Sequence, residues 1–160
     1  EFLRAVNPNG RIPVLELDDG RMLPESNAVL TFLADGTDWM PDDAFTRAQA
    51  MSWLFWEQYS HEPNIATLRF WKHLPELNDA QKAQLDTKRE AGVAALALME
   101  KQLSRTNWLV GDKPSIADIA LYAYTHVAEE GDYRLSDYPG IQSWINRFAS
   151  LPDYVHITDT

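Results

Sequence analysis

The sequence has no cysteine among its 160 residues and few basic residues, with 14 Lys and Arg against 24 Asp and Glu. Without cysteine, these residues cannot form a disulfide framework, a zinc site with thiolate ligands or a cysteine nucleophile. Nucleic acids are bound through clustered Lys and Arg, so the acidic balance argues against a nucleic-acid partner. The same balance argues against binding to an anionic membrane surface.

Long apolar runs are also missing. No stretch approaches the roughly 18 consecutive apolar residues that a membrane-spanning helix needs, and no basic start followed by an apolar segment indicates a signal peptide. Hydrophobic residues make up 45% of the chain, which is ordinary for a globular protein with a hydrophobic core. We therefore expect a soluble protein, with the cytoplasm as its location.

The first predicted elements are two short strands. Residues 12–17, IPVLEL, and residues 21–23, RML, flank a DDG turn in which Gly20 supplies a positive φ. Pro13 removes a ladder hydrogen bond, so it must stand at the first residue of a strand, on an edge or in a cis bend. A lone hairpin is marginal in water, and no later segment supplies further strands. We therefore expect the natural protein to have an upstream segment that this chain lacks.

The chain after the hairpin is predicted to be helical. A helix begins near Glu25 or Ser26 and ends before Gly36, and residues 36–43, GTDWMPDD, form a linker. A long helix then runs from about residue 42 toward residue 71, with a kink expected at Pro63. Spacings of three and four predict a core-facing stripe on this helix, made of Phe45, Ala48, Ser52, Phe55 and Tyr59.

The rest of the chain is predicted to hold a second long helix, a capping motif before an apolar run, and a last helix. Ser115 and Asp118 stand three apart before an apolar run, the pattern of a capping box in which side chain and backbone bond reciprocally. This pattern favours a structural role for Asp118 over a catalytic one. The last predicted helix, PGIQSWINRFASLP, begins near Pro139. Before these, residues 79–104 are predicted to form a second long helix whose buried side carries Leu85, Gly92, Leu96, Met99 and Leu103.

Three segments, in this order, resemble the glutathione S-transferase family: NPNGRIP at residues 7–13, LPESNAVLTFLA at residues 23–34 and PSIADIALY at residues 114–122. The resemblance implies an α+β fold in which a thioredoxin-like domain precedes an all-α helical bundle. Residues 1–35 are then the C-terminal half of the glutathione-binding thioredoxin-like domain, residues 36–43 the linker and residues 44–160 the all-α C-terminal domain. The catalytic Tyr, Ser or Cys of the family is expected before Glu1.

The resemblance also implies a glutathione site. The Ile12–Pro13 bond is expected to be cis, turning the Ile12 backbone outward to pair with the cysteinyl unit of glutathione. Glu25 and Ser26 are expected in the γ-glutamyl pocket, where the hydroxyl and free amide of Ser26 suit a carboxylate. Arg11 is placed to reach the glycyl carboxylate. The alternatives are an edge-strand Pro13 with no ligand, an ordinary N-cap pair at Glu25 and Ser26, and a solvated charge at Arg11.

A second, hydrophobic substrate is implied between the domains, against the long helix that starts near residue 42. The helix face opposite the predicted core stripe is a candidate for this cleft or for a dimer groove. The alternative is that its tryptophans simply pack on neighbouring helices. This face carries Trp53, Trp56, Glu57, Ser60 and Asn64.

No metal is expected at the adjacent pair His61 and Glu62, because neighbours on a helix point about 100° apart and no other His or Cys has ligand spacing. The resemblance implies glutathione as co-substrate, a small hydrophobic electrophile as second substrate, and a homodimer. The leading hypothesis is a glutathione transferase that conjugates the glutathione thiolate to the electrophile. The alternative is a non-catalytic binding or protein-interaction module with the same fold.

Overall fold

The computed structural model describes residues 2–152, 154–157 and 159. The first element is a short helix, α1 (Phe2–Val6), which the sequence pattern did not predict. Strands β1 (Val14–Glu16) and β2 (Met22–Pro24) then form the predicted antiparallel pair. Gly20 between them has a φ of 82°, as the DDG turn requires.

Helices dominate the rest of the chain. They are α2 (Ser26–Ala34), α3 (Ala44–Trp56), a π turn (Glu57–His61), α4 (Glu62–Lys72), α5 (Asp79–Lys82), α6 (Leu85–Leu103), α7 (Ile116–Thr125), 3₁₀ turns at Ala128–Gly131 and Leu135–Asp137, and α8 (Pro139–Ala149). The predicted α+β fold, a β-hairpin followed by a helical bundle, is therefore confirmed. The helix predicted over residues 79–104 is divided into α5 and α6. None of the helices in the described part of the chain is long and apolar enough to cross a membrane.

The core-facing stripe predicted for the long helix is wrong. All of its members are exposed: Phe45, Ala48, Ser52, Phe55 and Tyr59. Tyr59 is 86% exposed, whereas Ala50 and Leu54 on the other face of α3 are fully buried, and α3 packs against α7. Spacing identifies which side chains share a helix face, but it does not determine which face meets a neighbouring helix.

The irregularity expected near Pro63 takes the form of the π turn. Proline has no N–H to donate, and just before it the Glu62 N–H bonds to the Glu57 carbonyl, one residue farther back than in an α-helix. A π turn inserts one residue into a helix. Both ends of this turn are buried, with Glu57 3% exposed and His61 0% exposed.

Helix α7 lies at the centre of the bundle and packs on α2, α3 and α4. The expected capping box begins it: the Ser115 N–H donates to Asp118 Oδ2 at 2.9 Å, and the Ala117 N–H donates to Ser115 Oγ at 3.3 Å. Asp118 is fully buried and also accepts hydrogen bonds from the Leu109 N–H and the Trp144 Nε1–H. Its carboxylate is therefore fully engaged in bonds that hold the start of α7.

Candidate functional site

A cleft of about 420 Å³ lies between the hairpin region and the helices. The turn before β1 and the start of α2 form one wall of this cleft, and α7 forms the opposite wall. The first wall carries all of the residues that the sequence pattern assigned to a glutathione site. These residues are Arg11, Ile12, Pro13, Glu25 and Ser26.

The turn before β1 presents the Ile12 backbone at the cleft. The Ile12–Pro13 bond is cis, as predicted, and the Ile12 backbone makes no hydrogen bond with any residue that the structure describes. Asn7, which is 3% exposed, holds the turn together. Its side-chain amide donates to the Arg11 carbonyl at 2.8 Å, and its Oδ1 accepts from the Asn9 N–H at 3.0 Å. An extended ligand can therefore pair with Ile12 without displacing an internal bond.

The start of α2 offers unpaired backbone donors. Glu25 precedes the helix with a φ of 75° and a ψ of 119°, a conformation that costs a non-glycine residue about 1–3 kcal/mol. No side chain of the described residues caps this helix, so an ordinary N-cap pair at Glu25 and Ser26 does not describe it. The N–H groups of the first turn stay available, and together with the helix dipole they attract negative charge.

The π turn contributes Glu57 to the cleft. Asn27 on α2 donates from Nδ2 to Glu57 Oε2 and to the Leu54 carbonyl, both at 3.1 Å. Gln58 donates to the same Glu57 oxygen at 2.8 Å. Burial raises the pKa of Glu57, against the lowering effect of the two side-chain amides. A buried carboxylate thus joins the π turn to the start of α2.

The other residues predicted for the second-substrate face do not line this cleft. Trp53 and Trp56 meet edge to face, with ring centroids 5.2 Å apart, and pack against the core. The Asn64 side chain donates to the Ser60 carbonyl at 2.7 Å. Glu57 is the member of that set that lies in the cleft lining. The predicted face lies opposite a stripe that is exposed, so its tryptophans turn toward the core.

A second cavity, of about 560 Å³, lies along α4. It meets the cleft at Arg11, Gln58, Glu62 and Tyr124, which line both spaces. The sequence pattern missed Tyr124. Helical spacing places its side chain on one face of α7, but that face borders a cavity only after α4 and the hairpin region have packed beside it.

His61 and Glu62, adjacent in sequence, lie in different surroundings. Glu62 lines the two cavities. His61 is buried in the core, with its Nε2 2.9 Å from the Thr125 hydroxyl oxygen. Burial lowers the pKa of His61 to about 3, so the imidazole is neutral at physiological pH.

Two family models match the chain. Residues 54–152 match the model described as glutathione S-transferase, C-terminal domain, and residues 1–35 match the one described as glutathione S-transferase, N-terminal domain. The first match alone spans more than half of the chain. The second includes the Ile12–Pro13 turn and the start of α2.

Three known proteins are similar to this chain. The chain is 54% identical to a glutathione S-transferase from Pseudomonas fluorescens Pf-5, whose crystal structure matches with a TM-score of 0.93 over 98% of this chain and 78% of that one. The disulfide-bond oxidoreductase YfcG of Escherichia coli K12 is 30% identical over 95% of this chain and 73% of its own length. A sphingomonad glutathione S-transferase, solved with glutathione bound, is 26% identical, with a TM-score of 0.76 over 95% of this chain and 74% of that one. The chain therefore belongs to the glutathione S-transferase family.

Proposed function

We propose that this protein binds glutathione in the cleft and conjugates its thiolate to a small hydrophobic electrophile. The observation that carries the proposal is the convergence of Arg11, Ile12, Glu25 and Ser26 on one space of about 420 Å³. The sphingomonad relative was solved in complex with glutathione, which supports the same ligand here.

Glutathione has groups that match this lining from end to end. Its γ-glutamyl carboxylate suits the open N–H groups at the start of α2 and the Ser26 hydroxyl. Glu25 offers an acceptor to the neighbouring ammonium group, and the peptide-like middle of the ligand pairs with the free backbone of Ile12. The glycyl carboxylate takes the Arg11 guanidinium as its partner.

Conjugation requires the thiolate, because the thiolate is the nucleophile. Lowering a thiol pKa by about two units takes about 2.7 kcal/mol of differential stabilisation. The sulfur forms a bond to the electrophilic carbon, and the leaving group departs with the electron pair of its own bond. We assign binding and orientation of the thiol to the residues of this cleft, and we assign activation of the thiolate to none of them.

Calorimetric titration of the full-length protein with glutathione tests the proposal. Ser26→Ala and Arg11→Gln each remove a hydrogen bond to a carboxylate, so we expect each to weaken binding by about 10-fold or more. Ser143→Ala and Arg21→Gln, at exposed positions outside the cleft, are the matched controls and are expected to bind as the unmodified protein does. A folded protein that does not bind glutathione would overturn the proposal.

A second candidate function is the glutathione-dependent reduction of disulfides. The similarity to YfcG, named a disulfide-bond oxidoreductase, favours it. In that reaction two glutathione molecules are oxidised to glutathione disulfide while one substrate disulfide is reduced to two thiols. Parallel assays with a low-molecular-weight disulfide and with an aryl halide separate the two activities. Glutathione binding without turnover of either substrate would support a non-catalytic binding module.

We also propose that the protein forms a homodimer through the exposed side of α2 and α3. Phe32 and Phe55 are 49% and 69% exposed, and with Leu23 and Met51 they line a groove of about 710 Å³. Exposed apolar surface of this kind marks an interaction site. Phe55→Glu is expected to give a monomer in sedimentation velocity, whereas Val93→Glu on α6 is not. A monomeric unmodified protein would refute the homodimer.

A further inference from the structure

We propose that Tyr124 donates a hydrogen bond to the second substrate and selects substrates that carry a neutral acceptor oxygen, such as a ketone, near the atom that joins the sulfur. The inference rests on the proposed binding of glutathione, which supplies that sulfur. It adds a specificity residue from α7 to the glutathione-binding residues of the turn before β1 and the start of α2.

Tyr124 stands where the two cavities meet. Its side chain is half-buried and lines both the cleft of about 420 Å³ and the α4 cavity of about 560 Å³. Of the residues assigned to glutathione, Ile12, Glu25 and Ser26 line the cleft but not the α4 cavity, whereas Arg11 lines both spaces. A group attached to the sulfur and extending toward α4 therefore passes beside the Tyr124 ring.

The Tyr124 hydroxyl has no hydrogen-bond partner among the residues that the structure describes. Three other tyrosines of the bundle are paired: the hydroxyls of Tyr122 and Tyr154 are 2.8 Å apart, and the Tyr133 hydroxyl donates to the Lys88 carbonyl at 3.3 Å. The Tyr138 hydroxyl has no partner among the described residues, but it lines neither cavity. Tyrosine hydroxyls that are partly buried usually find a partner. At the junction of two cavities, the open hydroxyl points to a ligand as that partner.

The charges around Tyr124 define what it binds. Burial, followed by the carboxylates of Glu62 and Glu57, raises the pKa of Tyr124, while Arg69 lowers it. The phenol therefore keeps its proton at neutral pH and is available as a donor. The same two carboxylates repel an anionic acceptor, so a neutral carbonyl oxygen is favoured over a carboxylate.

The lining of the α4 cavity supports an uncharged ligand group. Pro63, Ala66 and Phe70 supply apolar surface there. Arg69, also in the lining, is paired with Glu130 at 2.6 Å, so its charge is already matched. The three apolar residues form a patch of the kind that receives an uncharged ligand group. The rest of the lining is polar or charged and includes Arg11, Gln58, Glu62, Thr67 and His73.

Two glutathione conjugates that differ in one oxygen test the inference. S-phenacylglutathione carries a ketone next to the carbon bound to sulfur, and S-(2-phenylethyl)glutathione has the same skeleton without that oxygen. In calorimetric titrations of the full-length protein, Tyr124→Phe is expected to weaken binding of the phenacyl conjugate by about 3- to 10-fold. Binding of the phenylethyl conjugate and of glutathione itself is expected to stay unchanged.

Tyr138→Phe is the matched control. Tyr138 is also half-buried, and its hydroxyl likewise has no partner in the described part of the chain, but it lines neither cavity. A second measurement uses infrared spectroscopy: the ketone stretch of the bound phenacyl conjugate should lie at lower frequency in the unmodified protein than in Tyr124→Phe, because a hydrogen bond weakens the C=O bond.

The outcomes separate the two proposals. Equal losses for both conjugates would assign Tyr124 to packing, and an unchanged affinity for the phenacyl conjugate would leave it no role in recognition, so either result overturns the inference. An unmodified protein that is folded but binds neither glutathione nor the conjugates would overturn the proposed function instead.

Discussion

The start of α7 and the π turn both bury polar side chains, but they satisfy them in different ways. Asp118 accepts hydrogen bonds from two backbone N–H groups and from the Trp144 indole, all at 2.9–3.0 Å. Glu57 accepts from two side-chain amides, those of Asn27 and Gln58. At the other end of the π turn, the buried Nδ1 of His61 has no partner among the described residues.

The two sites therefore differ in how firmly their hydrogen-bond donors are fixed. Backbone donors cannot leave the α7 start without unfolding it, so Asp118 is fixed by the fold. Side-chain amides can rotate, and a buried polar atom without a partner calls for an explanation. The π turn lies against the cleft, and irregular helical turns of this kind are frequent at functional sites. The buried polar groups are thus fully hydrogen-bonded at the start of α7 and incompletely satisfied at the π turn.

Removing the Asp118 carboxylate should have the largest effect on the free energy of unfolding. Asp118→Ala leaves the Leu109 N–H, the Ser115 N–H and the Trp144 Nε1–H buried without an acceptor. Each unpaired donor costs about 1–3 kcal/mol, so with some relaxation we expect a loss of about 4 kcal/mol in the free energy of unfolding. Urea denaturation measures it. Asp112→Ala, at an exposed position in the preceding loop, is the control, and equal stabilities of the two variants would contradict the prediction.

The sequence predicted the α7 start because all of its information is local. Ser115 and Asp118 are three residues apart, and a capping box is recognisable from that spacing alone. The bonds that Asp118 receives from Leu109 and Trp144 were not predicted, because they depend on how α8 and the loop before α7 pack.

The cleft was predictable on one wall only. The Ile12–Pro13 turn and the Glu25–Ser26 helix start are short segments with strong backbone preferences, so sequence places them well. The opposite wall depends on which face of α3 and α7 turns inward, and the exposed Phe55 shows that spacing gave the wrong answer for α3. Tyr124 was missed for the same reason, since packing decides whether its face of α7 borders a cavity.

The π turn should dominate the acid sensitivity of the fold through His61. The Thr125 hydroxyl donates to the Leu121 carbonyl at 2.6 Å, so Nε2 of His61 carries the proton that Thr125 accepts. The pKa of His61 falls from 6.5 in the unfolded chain to about 3 in the folded one. The unfolded chain therefore binds the proton first, and the stability from neutral His61, complete above pH 6.5, is lost as the pH falls toward 3. Between pH 7.5 and 5 the loss is about 2 kcal/mol.

His61→Gln removes this titration and keeps an N–H for Thr125. Urea denaturation at several pH values should show that the variant lacks the loss of about 2 kcal/mol between pH 7.5 and 5. His73→Gln, whose side chain is 63% exposed, should follow the unmodified protein. If His61→Gln and the unmodified protein lose stability in parallel, His61 is not the acid-sensitive group, and the contrast between the two sites is weaker than the structure indicates.

The smallest change in the free energy of unfolding is expected for Glu57→Gln. This change is a gain in stability, whereas Asp118→Ala causes a loss. Burial raises the pKa of Glu57 above 4.5, so its contribution to stability is complete below pH 4.5 and is lost as the pH rises through the folded pKa. Above its folded pKa the ionised carboxylate is buried without a cationic partner among the described residues. Replacing a poorly compensated buried charge with a neutral group of the same shape is neutral or stabilising, here by about 1 kcal/mol or less.

The gain should shrink as the pH is lowered through the folded pKa of Glu57 toward 4.5, because the carboxyl of the unmodified protein becomes protonated and then resembles the glutamine amide. Urea denaturation across this range measures the difference, with Glu90→Gln on the exposed face of α6 as the control. A loss of several kcal/mol at pH 7 would show that the ionised carboxylate is as tightly integrated as Asp118. Since side-chain amides are the donors to Glu57, whereas backbone groups hold Asp118, we expect the π turn to tolerate the change.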